Sequence, residues 1–228
     1  MQKAITERLK FINSKLVPYN PKIVAVTKYF DESMILEYYN AGLRDFGENR
    51  VVSALDKISK LPEDVRVNSR FHLIGHLQTN KVKLAVGNFY LIHSVDSLKL
   101  AKMISQVAQQ KGIVQNILLQ VNNADEESKF GFSPQELLNC MEEMIKLPSL
   151  NIEGLMNIAP LSQDDDYLRN LFKNIKHLKD KIELEHKVKL NQLSMGMSND
   201  FQIAVEEGST IIRLGRILFE NNITGGLQ

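Results

Sequence analysis

The sequence predicts a single (β/α)8 barrel over residues 1–228, and two observations support this α/β fold class. Short apolar runs alternate with stretches of helical periodicity, and several runs are continuously apolar, as in a parallel sheet covered on both faces. Polar residues follow the carboxyl ends of these runs, where such barrels place their functional sites. An open, doubly wound sheet has the same alternation and is the competing fold class.

The strands are assigned in chain order from the apolar runs. A helix precedes them, because Ile5, Leu9, Ile12 and Leu16 recur at helical spacing. We expect this helix to cover the side of the barrel or to close its bottom. The predicted strands are Lys22–Thr27, Arg44–Gly47, Arg70–Ile74, Phe89–His93, Asn116–Asn122, Asn151–Asn157, Asn191–Ser194 and Thr210–Leu214.

Helix start signals lie between these strands. Asp31 or Ser33 is expected to cap the second helix, Asp96 precedes a helical apolar pattern, and Ser133-Pro134 places proline at a helix start. Only the stretch 217–220 follows the last strand before a loose tail, so the eighth helix of the barrel should be short.

The composition narrows the functional classes. The net charge is +1 and comes from interspersed charges, which predicts no nucleic-acid partner. No apolar run approaches the ~18 residues of a membrane span, and the amino terminus does not resemble a signal peptide. Cys140 is the single cysteine, so no intrachain disulfide can form and a cytoplasmic location is expected.

Lys28 directly follows the first predicted strand and is the leading candidate for chemistry. Most lysines at strand ends are solvated and inert. Here the opposing loops carry the features of a phosphate site, which favours a lysine that forms a Schiff base. Pyridoxal 5′-phosphate and the phosphosugar substrate of an aldolase both fit this arrangement.

The loops after strands seven and eight form the predicted phosphate site. The segment 194–200 (SMGMSND) contains Gly196 for a tight turn and should expose backbone N–H groups to an anion. Alternation along the eighth strand places Arg213 and Gly215 on the same side. We therefore expect Arg213 to point into the barrel mouth, where it needs a ligand or a carboxylate as partner.

Other polar residues at this edge of the barrel have ordinary interpretations. Glu48 and Asn49 can be explained as caps of the following helix, and His72 and His93 as hydrogen-bonded barrel histidines. No spacing of Cys, His, Asp and Glu residues predicts a metal site. The sequence also lacks a nucleophile with a matching base and orienting group, so a hydrolase is not predicted.

A series of short motifs follows in a fixed order along the chain. They are VAVTK (24–28), FGEN (46–49), FHLIGHLQTNK (71–81), IHSVD (92–96), SKFGF (128–132), GLMNIAP (154–160), LSMGMSNDFQIAVEEGSTIIRLG (193–215) and LFE (218–220). Together they resemble the pyridoxal phosphate homeostasis protein family, also called the proline synthetase co-transcribed homologues. The resemblance extends from about the first strand to the end of the eighth, and the LSMGMS block is highly specific.

The resemblance implies a barrel like the amino-terminal domain of alanine racemase, with pyridoxal 5′-phosphate (PLP) held as an internal aldimine on Lys28. It implies that the phosphate lies against Ser194–Ser198 and Gly215–Arg216, that Arg213 faces the pyridine nitrogen and that Asn49 lies near the ring. The implied cofactor-binding residues are Lys28, Asn49, Ser194, Met195, Gly196, Met197, Ser198, Arg213, Gly215 and Arg216.

The resemblance further implies a non-catalytic monomer that stores PLP and delivers it to apo-enzymes, with an influence on amino-acid and keto-acid balance. An arginine opposite the pyridine nitrogen disfavours its protonation, which makes the ring a weak electron sink. No counterpart of the carboxyl-terminal domain of alanine racemase, which supplies a catalytic tyrosine, is recognised. The alternatives are a PLP-dependent racemase or lyase of weak activity, a Schiff-base aldolase, and an interaction module without a ligand.

The sequence departs from the family pattern at several positions. Phe30 stands where the family often has a second lysine, which puts a transfer role of that lysine in doubt. His76 stands where the family commonly has a proline. Arg216 stands where a threonine or serine usually gives the phosphate a hydroxyl, and Glu220 replaces a usual glycine. Lys129 in SKFGF is a separate candidate for a secondary acceptor during transfer.

Overall fold

The computed structural model describes residues 2–124, 130–162 and 164–219, and the strands within these ranges close into a parallel barrel. Lys129 and Glu220, two of the positions discussed above, lie outside the described residues. The strands are β1 (Lys22–Val26), β2 (Asp45–Glu48), β3 (Arg70–Leu73), β4 (Leu91–Val95), β5 (Gln115–Val121), β6 (Leu150–Asn157), β7 (Gln192–Ser194) and β8 (Ile211–Leu214).

The order of the strands around the barrel is their order in the chain. β1 pairs in parallel with β2 and also with β8, which closes the sheet and confirms the (β/α)8 barrel over the open doubly wound alternative. The pairing of Val24 with Arg213 and of Ala25 with Leu214 sets the closing register. Since all strands run in the same direction, their carboxyl ends meet at one end of the barrel.

Helices cover the outside of the barrel, and several begin at the signals in the sequence. Asp31 caps the second helix by accepting from Ser33 N–H, and Ser133 forms a capping box with Glu136. The helices are α1 (Gln2–Leu16), α2 (Glu32–Asn40), α3 (Val51–Ser59), α4 (Glu63–Asn68), α5 (Val82–Ala85), α6 (Leu98–Gln110), α7 (Pro134–Ile145), α8 (Asp165–His186), α9 (Phe201–Glu206) and α10 (Arg216–Phe219), and a 3-10 turn covers Thr79–Lys81.

Two helices begin differently from what the preceding polar residues indicate. Ser97, and not Asp96, caps α6 by accepting from Leu100 N–H, which leaves Asp96 available for another partner. The N-cap position of α3 is Arg50, without a side-chain hydrogen bond, so neither Glu48 nor Asn49 caps that helix. The Glu48 side chain is instead buried at the end of β2, where it has a different role.

The amino-terminal helix covers the side of the barrel and packs beside α2, α9 and α10. Arg8 Nη1 and the Tyr38 hydroxyl both donate to the Leu218 carbonyl, at 2.8 and 2.6 Å. Since α10 is only one turn long, as predicted, α1 supplies the cover that a longer eighth helix would give. Within the described ranges, every helix is too short or too polar to cross a bilayer.

The core has two unequal parts. The larger part lies between the barrel and the surrounding helices, while the smaller part consists of a few apolar side chains inside the barrel. Buried polar side chains, including His72, His93, Ser194 and Arg213, share the interior with this smaller cluster. The apolar interior residues are Val24, Leu91, Leu118, Met156 and Ile211.

Candidate functional site

A cavity of about 630 Å³ opens at the carboxyl end of the barrel. The segments after β1, β6, β7 and β8 supply most of its walls, which is the location expected for the site of such a barrel. One wall is apolar and includes Phe30, whose ring stacks on Phe219 with centroids 3.9 Å apart. The candidate residues that line the cavity are Lys28, Met197, Ser198, Arg213, Gly215 and Arg216.

Lys28 lies at the cavity with an exposed side chain, and its Nζ is 4.8 Å from the centre of the Tyr29 ring. The backbone before it is fixed by a buried cluster. The Thr27 hydroxyl donates to Glu48 Oε1 at 2.6 Å, and Lys57 Nζ donates to the same oxygen at 2.6 Å and to the Thr27 carbonyl at 2.8 Å. This cluster holds the position from which the Lys28 side chain extends.

The loop after β7 turns at Gly196, which has a φ of +89°. A Cβ atom at this position would lie 2.6 Å from the Ala204 Cβ, so only glycine fits both the backbone and the packing. The carboxylate of buried Asp200 accepts from Met197 N–H at 2.5 Å, which uses one amide of the loop. Burial raises the pKa of Asp200, although this N–H and the charge of Arg213 oppose the shift.

Several backbone amides at the cavity remain available to a ligand. The N–H groups of Ser198, Asn199 and Gly215 donate no hydrogen bond within the part of the chain that the structure describes. All three residues line the cavity, as does Arg216, whose guanidinium is 3.5 Å from Asn199 Oδ1. Amides of this kind are suited to phosphate oxygens.

Arg213 reaches the cavity from the barrel interior and is only 4% exposed. Its Nη1 donates to the carbonyl and hydroxyl oxygens of Ser194 at 2.7 and 2.8 Å, and its Nη2 donates to the Asn157 carbonyl at 2.8 Å. Its Nε–H and second Nη2 hydrogen donate to no acceptor among the described residues. Burial lowers the pKa of Arg213 to about 10, with the charge of Asp200 acting in the opposite direction.

The other candidate residues lie outside the cavity lining. Ser194 is fully buried and reaches the site through its bonds to Arg213, while the Met195 side chain packs in the outer core. Gly196 shapes the loop. Asn49 is half-buried and packs against Gly75, where an added Cβ would lie 2.8 Å from the Asn49 Cα.

The departures from the family pattern alter the rim of the site. Phe30 adds an apolar wall through its contact with Phe219. His76 Nδ1 pairs with Asp96 Oδ2 at 2.8 Å, and its ring stacks on Phe130 with centroids 3.8 Å apart. The histidine therefore connects two loops at the carboxyl end of the barrel.

These features fit a phosphorylated aromatic ring that carries an aldehyde and a ring nitrogen able to accept a hydrogen bond. Arg213 is a buried cation with unused donors, and none of the described carboxylates forms a salt bridge with it. A desolvated arginine in this position is stabilised by a ligand atom that accepts hydrogen bonds from its unused donors. Free amides for a phosphate and the primary amine of Lys28 line the same cavity.

Comparisons with known proteins agree with this geometry. A family model described as the alanine racemase N-terminal domain matches residues 2–222. An alanine racemase from Clostridium difficile, 17% identical, superposes with a TM-score of 0.78, over 99% of this chain and 59% of the racemase, which supports the fold alone. The fold and the matching model define the class: a barrel protein of the alanine racemase N-terminal type.

Closer relatives identify the family within this class. Pyridoxal phosphate homeostasis proteins from Aquifex aeolicus and Homo sapiens are 41% and 36% identical, over 87% and 95% of this chain and 86% and 84% of their own length. PipY from Synechococcus elongatus with PLP bound is 36% identical, with a TM-score of 0.85 over 95% of this chain and 100% of PipY. The chain belongs to the pyridoxal phosphate homeostasis protein family.

Two supporting residues were not expected from the sequence. Lys57 lies in the last turn of α3, where its position resembles that of an ordinary solvated lysine, yet it is buried against Glu48. Asp200 follows a loop rich in polar residues, and nothing in its spacing indicates that it would accept from Met197 N–H. No group of three or more potential metal ligands occurs among the residues described by the structure.

Proposed function

We propose that this protein binds PLP for storage and delivery inside the cell, with Lys28 Nζ as the covalent attachment point. The observation that carries the proposal is the meeting, in one cavity, of the Lys28 amine, the buried donor Arg213 and the free amides of the β7 and β8 loops. The family name of the relatives and the PLP bound by PipY support the same cofactor.

Each group has a defined task in this proposal. The amides of Ser198, Asn199 and Gly215 would bind the phosphate, Arg216 would add a positive charge, and Arg213 would donate to the ring nitrogen. When bound, PLP supplies an aldehyde that reacts with primary amines and a ring that accepts electron density. Asn49, Ser194, Met195, Gly196 and Met197 support these groups from neighbouring positions.

The chemistry of Arg213 favours a carrier over an enzyme. Because a guanidinium only donates hydrogen bonds and stays protonated at neutral pH, Arg213 leaves the ring nitrogen without an added proton. A ring in this state stabilises a carbanion poorly, which disfavours racemase and lyase chemistry. The exposure of Lys28 leaves its amine accessible to acceptor amines, as delivery requires.

The attachment point can be tested by reduction with borohydride. After incubation with PLP and desalting, we expect the wild type to retain visible absorbance and to carry a pyridoxyl group on the peptide that contains Lys28. Lys28→Ala should lose both signals, whereas Lys99→Ala, which changes an exposed lysine on α6, should keep them. An unmodified Lys28 in cofactor-loaded protein would contradict the proposal.

Turnover assays separate a carrier from an enzyme. We expect the loaded protein to transfer PLP to an apo-enzyme without racemising or cleaving D- or L-amino acids. Steady turnover that depends on Lys28 would instead support the racemase or lyase alternative. A protein that retains no PLP but is trapped with a phosphosugar by borohydride would support the aldolase.

We further propose that the protein acts in the cytoplasm as a monomeric single domain and delivers PLP to apo-enzymes through transient contacts. The free thiol of Cys140 supports a reducing compartment. Sedimentation of the loaded protein at micromolar concentration should give the mass of one chain, and a stable dimer would contradict this part of the proposal.

A further inference from the structure

A continuous line of hydrogen bonds crosses the barrel interior and ends at Arg213. It begins at Asp45, whose Oδ1 is 2.9 Å from His72 Nε2, and continues from His72 Nδ1 to His93 Nε2 at 2.9 Å. His93 Nδ1 is 3.0 Å from the Ser194 hydroxyl, which is 2.8 Å from Arg213 Nη1. We call these residues the interior chain: Asp45, His72, His93, Ser194 and Arg213.

The interior chain connects parts of the barrel that the sheet does not join. Asp45 begins β2 at the amino-terminal end of the barrel, where Arg70, partly exposed, donates to its second carboxylate oxygen at 2.6 Å. His72 and His93 lie on the neighbouring strands β3 and β4. The bond from His93 to Ser194 then crosses the interior, because β4 and β7 are not neighbours in the sheet.

The two ends of the interior chain fix the direction of every hydrogen bond in it. An ionised aspartate only accepts and an arginine only donates, so His72 donates through Nε2–H and Ser194 Oγ accepts from Arg213. A neutral His72 then has a bare Nδ1, which accepts from His93 Nε2–H. His93 in turn has a bare Nδ1, which accepts from the Ser194 hydroxyl.

Burial and charge are consistent with this assignment. Burial lowers the pKa of both histidines, and for His93 the neighbouring His72 and Arg213 lower it further. Burial raises the pKa of Asp45, but hydrogen bonds from His72 and Arg70 outweigh this effect and leave it below the usual value. Neutral rings with an ionised carboxylate at the end are therefore the favoured state.

We propose that Asp45, His72, His93 and Ser194 position Arg213 through hydrogen bonds of a single direction, and thereby orient its free donors toward the cavity. The Ser194 hydroxyl hydrogen points at His93, so a lone pair of its oxygen faces Arg213. If the chain reversed, His93 would donate to Ser194 and the oxygen would be less available to Arg213. The effect on the cofactor rests on the proposed function, whereas the direction of the chain does not.

The direction can be measured without cofactor. Histidine ring nitrogens labelled with ¹⁵N have different chemical shifts when protonated and bare, so NMR reports the tautomer of each ring. We expect His72 and His93 to be neutral, with hydrogen on Nε2, at neutral pH; the variants His72→Gln and His93→Gln assign the signals. A cationic ring, or hydrogen on Nδ1 of either ring, would overturn the proposal.

A remote substitution tests the coupling to Arg213. Asp45→Asn offers His72 a donor as well as an acceptor, so both ring tautomers become accessible, and the changed signal should extend to His93. We expect the guanidinium hydrogens of Arg213 to exchange with solvent about tenfold faster, the effect of weakening one hydrogen bond to a charged group. Asp56→Asn, the same change at an exposed position of α3, should alter neither signal.

Ser194 provides a second test within the interior chain. Ser194→Ala removes the hydroxyl, and we expect Arg213 exchange to accelerate to a similar extent, whereas Ser194→Thr retains the hydroxyl and should restore slow exchange. Chemical shifts like those of the wild type, at residues away from position 194, would show that Ser194→Ala and Ser194→Thr fold. Unchanged Arg213 exchange in folded Ser194→Ala and Asp45→Asn would disprove the positioning role.

Measurements on the loaded protein distinguish this inference from the proposed function. With ¹⁵N-labelled PLP, we expect an unprotonated ring nitrogen in the wild type and release of PLP about tenfold faster from Asp45→Asn. If the wild type carries no pyridoxyl group at Lys28, the proposed function fails while the tautomer results still decide the interior chain. If PLP binds and Asp45→Asn releases it at the wild-type rate, the link from the chain to the cofactor is wrong.

Discussion

Two of the buried sets of charged side chains in the barrel have their charges compensated differently. On its outer side, Lys57 Nζ contacts Glu48 Oε1 at 2.6 Å, so each charge has an opposite charge in direct contact. Inside the barrel, the Arg213 guanidinium contacts carbonyl and hydroxyl oxygens and keeps donors that find no acceptor among the described residues. The charges of Lys57 and Glu48 neutralise each other, whereas Arg213 has donors that a ligand in the cavity can use.

This difference distinguishes the Glu48–Lys57 pair, which supports the backbone, from Arg213, which is available to a ligand. Glu48 and Lys57 hold the backbone before Lys28, and their hydrogen bonds leave little to gain from a ligand. Arg213 is desolvated and contacts no carboxylate among the described residues, so a ligand that accepts from its unused donors would stabilise it. The contrast gives measurable expectations for stability in the absence of PLP.

The largest effect is expected from Lys57→Met. The change leaves the Glu48 carboxylate buried with the Thr27 hydroxyl as its remaining donor among the described residues, and breaking a buried pair in this way costs about 3–5 kcal/mol. Urea unfolding of the protein without cofactor measures the loss. The double variant Glu48→Leu/Lys57→Met should recover much of it, and a single variant as stable as the wild type would contradict the role of the pair.

A smaller effect is expected from pH. The buried neutral histidines have lowered pKa values, so the unfolded chain binds more protons below the usual histidine pKa of about 6.5. Stability should be fully present above that pH and should fall as pH decreases, by up to about 1.4 kcal/mol per unit for each histidine. The charged groups that act on this pair are Lys22, Asp45, Arg70 and Arg213.

The variant His93→Gln checks the origin of this dependence. It removes one titrating ring, so the slope of unfolding free energy against pH between about 6.5 and 5 should decrease by about half. His177→Gln, which changes an exposed histidine on α8, should keep the wild-type slope. Equal slopes in all three proteins would show that the interior rings do not cause the dependence.

The smallest effect on stability is expected from Arg213→Met. The change deprives the Ser194 and Asn157 carbonyls of a donor, but it also removes a buried cation that contacts no carboxylate within the described ranges. These opposing contributions should leave a net change of about 1 kcal/mol in the protein without cofactor, while retention of PLP is lost. A loss as large as that of Lys57→Met would remove the distinction between the two sets of charges.

Most of the fold could be predicted from the sequence, because apolar runs and caps are local signals. All eight strands lie within a few residues of their predicted bounds, and Ser133 begins a helix as expected. The position of Arg213 also followed from alternation along β8. Asp96 precedes α6 as expected, but Ser97, one residue later, provides the cap of that helix.

The partners of the buried polar groups could not be predicted. His72 and His93 were interpreted as hydrogen-bonded barrel histidines, and the structure confirms this, but their path to Ser194 depends on a contact across the barrel. Such contacts join residues about a hundred positions apart and leave no pattern in local spacing. The burial of Lys57 likewise depends on how α3 packs, which its own sequence does not reveal.

The bond from His93 to Ser194 has a consequence for how the molecule comes apart. It ties the half-barrel β1–β4 to the half-barrel β5–β8 through the middle, in addition to the two seams of the sheet. Separation of the two halves would break this hydrogen bond and leave the buried His93 imidazole and Ser194 hydroxyl without each other as partners. The two halves should therefore unfold together. If the chain is divided between β4 and β5, each fragment should form its half of the barrel only in the presence of the other.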